Sequence, residues 1–156
     1  MHFVLAALLA FAPCASSTAG DSILIDVAGR VMVLRSADLA ALPRDSAAWA
    51  YHGTRHAYAG VRLVVLLRRA GVPIDSLHGR DLTRRIVVEA ADRYRAVFTL
   101  AEVAPGIGDR DVLLADREDG QPLAADVGPL RLVVPGDGSG ARAVRQVVAL
   151  RVRDEP

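Results

Sequence analysis

Gly128-Pro129-Leu130-Arg131-Leu132-Val133-Val134-Pro135-Gly136 carries, within nine residues, the signals of a strand and of the turn that leaves it. Leu130 to Val134 is a short apolar run carrying one arginine, with proline on both sides. It reads as a strand buried on at least one face. Pro135-Gly136-Asp137-Gly138-Ser139-Gly140 then leaves the strand as a turn or loop, and its three glycines tolerate positive φ or a ligand close to the backbone. Arg142 and Arg145 follow three residues apart, the spacing that sets two guanidinium groups on one side of a helical turn. A glycine-rich loop followed by paired arginines suits a phosphate or another oxyanion, gripped by forked, charge-assisted hydrogen bonds. The competing reading is a surface loop with solvated arginines.

Outward from that stretch, the composition is that of one globular domain. The chain has 156 residues, enough for a single core without staples, and 52% of them are hydrophobic, which excludes disorder. All 19 basic side chains are arginine, a sign of coding bias before function, because so many dispersed arginines cannot all be ligands. The formal charge of +1 leaves no basic field for nucleic acid or an anionic membrane. Three Phe, three Tyr and one Trp are too few for base-stacking platforms. Without lysine there is no Walker A loop, and Ser46, Ser76 and Ser139 lack the setting of a hydrolase nucleophile.

Residues 1–20 contain no Lys, Arg, Asp or Glu, and Phe3 to Ala12 is continuously apolar. Ser17-Thr18-Ala19 follows as a cleavage signal, so residues 1–20 read as a signal peptide and 21–156 as the mature domain, periplasmic or secreted. The apolar run is too short to span a bilayer. Pro13 before Cys14 is a poor setting for lipidation. Cys14 is the only cysteine, so a chain cleaved after residue 20 has no thiol, disulfide or thiolate ligand.

Ile23–Val27 and Arg30–Leu34 flank Ala28-Gly29 as a hairpin, and Ser36 caps a helix over 37–42 that Pro43 ends. Two strands, 47–52 and 55–59, surround Gly53-Thr54. The apolar spacing predicts a helix over 61–70, stopped by Gly71 and Pro73. Strands at 86–90 and 95–100 surround Asp92-Arg93-Tyr94, a helical turn covers 100–103, and 112–115 is a strand before the Asp119-Gly120 turn. The result is one α+β domain of mixed sheets with a few short helices. Its core is predicted to include Leu66, Val87, Leu130, Leu132, Val134, Val147 and Ala149. The acids Asp109, Asp111, Asp116, Glu118 and Asp119 alternate with Arg110 and Arg117 as a self-neutralising edge and match no calcium loop.

Four segments in order resemble the sulfite-oxidase-fold, molybdopterin-binding oxidoreductase domain, in its short secreted form. They are HGTRHAYAGVRLVVLLRRAGV at 52–72, VVEAADRYRAVFTLAEV at 87–103, VLLADREDGQPL at 112–123, and the closing GPLRLVVPGD…GARAVRQVVALRV. In full enzymes of that family a cysteine ligates molybdenum upstream of a W/Y-x-G-V-x-L segment. Here the segment is Tyr58-Ala59-Gly60-Val61-Arg62-Leu63, and His52-Gly53 stands nearest the cysteine position. An uncharged imidazole in place of a thiolate changes the metal's electronics. Asp92-Arg93-Tyr94 stands where the family often has Asp-Gly-Tyr, which suits Arg93 if it keeps negative φ.

The resemblance implies a molybdopterin site with His52, Gly53, Arg55 and His56 facing the metal. Asp92 and Tyr94 would border the pocket, and Arg131, Gly140, Arg142 and Arg145 would grip the pterin phosphate. His52 is the one metal candidate; a His52–His56 zinc pair lacks both a helix and an evident third ligand. Two functions follow. One is a periplasmic oxidoreductase with a pterin cofactor and an electron-transfer or sensor protein partner. The other is a non-catalytic module that kept the fold and binds a small anion or a partner protein. Arg142 is expected to be the main charged contact of the cradle, and Arg153 to matter little.

Overall fold

The computed structural model describes residues 22–51 and 53–154. Ten strands occur among them: β1 Ser22–Val27, β2 Arg30–Arg35, β3 Asp45–Tyr51, β4 Thr54–Arg62, β5 Arg85–Ala90, β6 Arg95–Thr99, β7 Leu113–Glu118, β8 Gln121–Pro122, β9 Arg131–Val133 and β10 Val147–Arg153. Three short helices join them, α1 Ser36–Ala40, α2 Leu63–Arg69 and α3 Leu100–Val103, with 3-10 turns at Gly79–Thr83 and Gly140–Arg142. No helix among the described residues is long and apolar enough to cross a membrane. The expected α+β class, with mixed sheets and few helices, is what the chain forms. The leader at 1–20 and His52 lie outside the described residues.

The first sheet runs β2-β1-β10-β5-β6, with β1 parallel to β10 and the other pairs antiparallel. The second runs β3-β4-β7, with β8 and β9 both on the free side of β7. Two-residue turns set the hairpin registers. Ala28-Gly29 and Asp119-Gly120 take positive φ at both positions, the pattern whose twist matches paired strands. Gly60 is needed for a different reason: a Cβ there would lie 2.0 Å from the Leu114 carbonyl, where β4 crosses β7 at a bulge.

One core lies between the inner face of the first sheet, α2 and the second sheet, with Ile23, Ile25, Leu66, Ile86, Val88, Phe98, Leu132 and Leu150 among its members. A smaller cluster of Trp49, Tyr58, Leu113, Ala115, Val133 and Ala143 lies on the other face of the second sheet. The segment over 130–134 alternates between them. Leu130, Leu132 and Val134 enter the main core, while Val133 enters the small one. The strand read as buried on at least one face is buried on both.

Three local expectations shift. Val87 is only half-buried, because on β5 it is Ile86, Val88 and Ala90 that face inward. The helix expected over 61–70 starts at Leu63, since Val61 and Arg62 belong to β4. Arg35, not Ser36, precedes α1, and the Asp38 carboxylate accepts its backbone N–H at 2.8 Å.

Candidate functional site

After Val134 the chain turns through Gly136, whose φ of +85° is open to glycine and costly for other residues. Ser139 Oγ then accepts the Ala141 N–H at 3.1 Å and starts the 3-10 turn Gly140–Arg142. Gly138 has neither positive φ nor a crowded Cβ position, so only part of the glycine pattern is demanded by the backbone.

Arg142 sits at the end of this turn with three of its guanidinium N–H groups engaged. Its Nε and Nη2 donate to the two oxygens of Asp137 at 2.8 Å each, and Nη1 donates to Glu102 Oε1 at 2.7 Å. The group also lies 4.7 Å from the centroid of the Phe98 ring. Arg110 Nη1 donates to the same Asp137 at 2.6 Å. The Arg142 guanidinium, with that of Arg110 beside it, holds the Asp137 carboxyl below the usual carboxylate range, and the Asp137 and Glu102 carboxylates in turn raise the Arg142 pKa, the Asp137 bond being the largest cause. The loop instead forms a forked clamp whose oxyanion is the chain's own Asp137.

Glu102 was not among the expected site residues. Its second oxygen accepts the Thr99 N–H at 3.3 Å while Thr99 Oγ accepts the Glu102 N–H at 3.1 Å, a reciprocal cap on α3. The signal was legible as Thr99-Leu100-Ala101-Glu102 at the start of the helical turn.

Arg145 does not stand beside Arg142 on a shared helical face, because the turn ends at Arg142. It lines a cleft of about 340 Å³ together with Asp92, Tyr94, Asp126, Gly140 and Gln146. Asp92 closes the β5–β6 turn by accepting the Tyr94 N–H at 2.9 Å, and Tyr94 Oη donates to the Ala141 carbonyl at 2.5 Å. Arg93 takes φ of +72°, so the condition that it keep negative φ is not met. On the other side of the 138–141 segment a second cleft of about 560 Å³ opens against Trp49 and Ala50.

Arg131 goes elsewhere. It is 4% exposed, with its guanidinium carbon 5.0 Å from the Trp49 ring centroid and 5.4 Å from that of Tyr58. Nη1 reaches Tyr58 Oη at 3.4 Å, and that hydroxyl donates to Glu118 at 3.0 Å. Burial is the main reason the Tyr58 hydroxyl is pushed up to about 12. Gly53 closes the β3–β4 hairpin with φ of +84°, and Arg55 is exposed at the start of β4. His56 Nδ1 lies 2.7 Å from Asp119 and 3.3 Å from Glu118, and the Asp119 bond is the chief cause of its raised pKa. Among the described residues no three His, Cys, Asp or Glu groups converge as a metal site.

The expected sites therefore divide into three groups. Asp92, Tyr94, Gly140 and Arg145 meet at one cleft. Arg142 is locked in a carboxylate clamp, and Arg131 and His56 belong to the network on the second sheet. The acidic edge is neutralised by remote partners: Arg44 donates to Asp116 at 2.7 and 2.5 Å, and Arg62 lies 3.1 Å from Asp111.

A molybdenum–pterin group does not fit these residues as they stand. The phosphate grip expected of Arg131, Arg142 and Arg145 reduces to Arg145, which shares its cleft with the carboxylates of Asp92 and Asp126. No cysteine follows Cys14 in the sequence to supply the thiolate.

The fold itself has relatives. The crystal structure of the sulfane dehydrogenase SoxCD from Paracoccus pantotrophus superposes with a TM-score of 0.66 at 25% identity, covering 86% of this chain and 38% of that one. The chain thus spans well under half the length of that relative. No curated protein matches it. The family model for the oxidoreductase molybdopterin binding domain matches residues 31–156, nearly all of the described fold. The chain belongs to the molybdopterin-binding oxidoreductase domain family.

Proposed function

We propose that this domain is an exported partner-binding module that keeps the family's fold without its molybdenum redox centre. The observation that carries the reading is the clamp on Arg142. Asp137 occupies both donors of the guanidinium fork, and Glu102 takes the third. A bound phosphate would have to displace two carboxylates that already satisfy the arginine, losing charge-assisted bonds of the kind it forms. Arg145, without an ion pair among the described residues, offers one positive charge against two nearby negative ones, a poor site for a multiply charged phosphate. The proposed export, to the periplasm or outside the cell, is supported by the uncharged apolar residues 1–20.

The test is to produce the full chain in a host that makes the molybdenum cofactor. Molybdenum is then measured by mass spectrometry and pterin by fluorescence after oxidation. The expected result is molybdenum far below one atom per chain and no pterin signal. Stoichiometric molybdenum with an oxidisable pterin would overturn the reading in favour of a periplasmic oxidoreductase with an electron-transfer partner.

A further inference from the structure

We infer that the outward face of the first sheet is the docking surface for an acidic protein partner; this rests on the partner-binding reading above. The β-strand pleat fixes what that face presents. Ile23, Ile25, Leu34, Ile86 and Val88 point into the core, so the alternate residues of the same strands point away from it. The register lines them up in rows across all five strands. One row is Val33, Leu24, Ala149, Glu89 and Arg95; the next is Val31, Asp26, Arg151, Val87 and Val97. Asp26 and Ala149, at the middle of the rows, are 7% and 3% exposed, and the most open positions lie on the outer strands β2 and β6. Val31, Val33 and Val97 are 59%, 54% and 47% exposed, so the apolar content of this face is real surface.

Charge specifies the partner. Five arginines, Arg35, Arg85, Arg95, Arg151 and Arg153, share the outward set with only two carboxylates, Asp26 and Glu89. Arg151 and Arg153 approach Asp26, and Arg95 and Arg151 approach Glu89. Arg35 and Arg85 form no ion pair among the described residues. The face is thus more positive than the whole chain, whose formal charge is +1. A surface of valines between arginines is matched by aliphatic side chains between aspartates or glutamates. A second copy presents like charge to like charge. A lipid surface is disfavoured by the chemistry, because the outward rows carry no aromatic residue to seat at a headgroup level. Short β-branched side chains on a sheet face suit packing against another protein layer.

The probe is a short peptide of alternating Glu and Val, titrated into isotope-labelled full-length protein and followed by NMR. Amide shifts should be confined to β2, β1, β10, β5 and β6. Arg35→Glu and Val33→Ser, both at exposed positions, should each weaken binding by about tenfold, the scale of one lost charge contact or anchor. Unchanged melting temperatures show that the variants still fold. Absence of binding, or binding indifferent to both substitutions, overturns the proposal. So does uptake by anionic vesicles in place of the peptide, or dimerisation through this face in sedimentation. A molybdenum-loaded protein that still binds the peptide refutes only the redox-free reading. A metal-free protein that ignores the peptide refutes only the docking face.

Discussion

Strand β9 and the loop that follows it differ in how they are held, although they are adjacent in sequence. The segment over 130–134 is fixed by alternation: its side chains go to the main core and the small cluster by turns, whatever their charge. Arg131 follows that rule, taking a buried place between aromatic rings because its position on the pleat requires it. The loop over 135–142 is fixed by charge instead, through Arg142, Asp137, Glu102 and Arg110. An arginine in a strand and an arginine in a loop thus have different physics, and only the second resembles a ligand site.

The largest expected effect lies on the strand. Leu132 is fully buried at the centre of β9, and its N–H donates to the Val144 carbonyl at 2.8 Å. Leu132→Ala should cost about 2–5 kcal/mol in denaturant unfolding, through lost transfer energy and the cavity left behind. A cost of a few tenths would break the comparison at its stronger side, since it would mean that β9 is not held by its core contacts.

What the sequence made legible follows the same division. Strand and hairpin positions were readable because pleat period and turn chemistry are local. Val87 was misjudged by phase: in the continuous run Ile86-Val87-Val88, nothing local says which parity faces inward. The clamp was not readable, because Glu102 and Arg142 are 40 residues apart and meet only through folding. Arg153, expected to lie beyond the last strand and to matter little for anion binding, falls inside β10 and donates to the buried Asp26 at 2.5 Å. Its partner lies 127 residues away in sequence, on the neighbouring strand β1. For stability Arg145 is the control, since it forms no ion pair among the described residues.

The intermediate effect belongs to the loop. Arg142 makes three charge-assisted bonds but its side chain is 31% exposed, so water and salt discount them. Arg142→Ala should cost about 1–2 kcal/mol, Arg142→Lys somewhat less, and Arg145→Ala under about 0.5 kcal/mol. The pH dependence sharpens this. Because Arg142 depresses the Asp137 pKa in the folded state, the clamp contributes fully above the ordinary carboxylate value and is lost as pH falls through the folded one. Asp26, Asp75 and Asp119 are depressed by their own hydrogen bonds, so an acid limb survives in the variant. Stability measured from neutral pH downward should therefore fall less steeply in Arg142→Ala than in the parent. Parallel curves would show that the clamp adds nothing to the loop.

The smallest effect lies at the turn that ties the loop to the first sheet. Arg93 holds φ of +72° while its N–H donates to the Ala90 carbonyl at 3.0 Å, and Asp92 accepts the next N–H. Left-handed backbone costs a side chain roughly 1–2 kcal/mol, whereas glycine adopts it freely. Glycine also loses more freedom on folding, which returns about 0.5–1 kcal/mol of that gain. Arg93→Gly should therefore stabilise the protein by about 0.5 kcal/mol, read as a small rise in the unfolding midpoint at unchanged slope. Tyr94 would keep its bond to Ala141, so both clefts beside the loop should be undisturbed. A loss of similar size would mean that the Arg93 side chain, which makes no ion pair among the described residues, contributes more than its backbone costs. The turn would then be held by charge like the loop it touches, and the contrast between local and remote control would stop at the sheet.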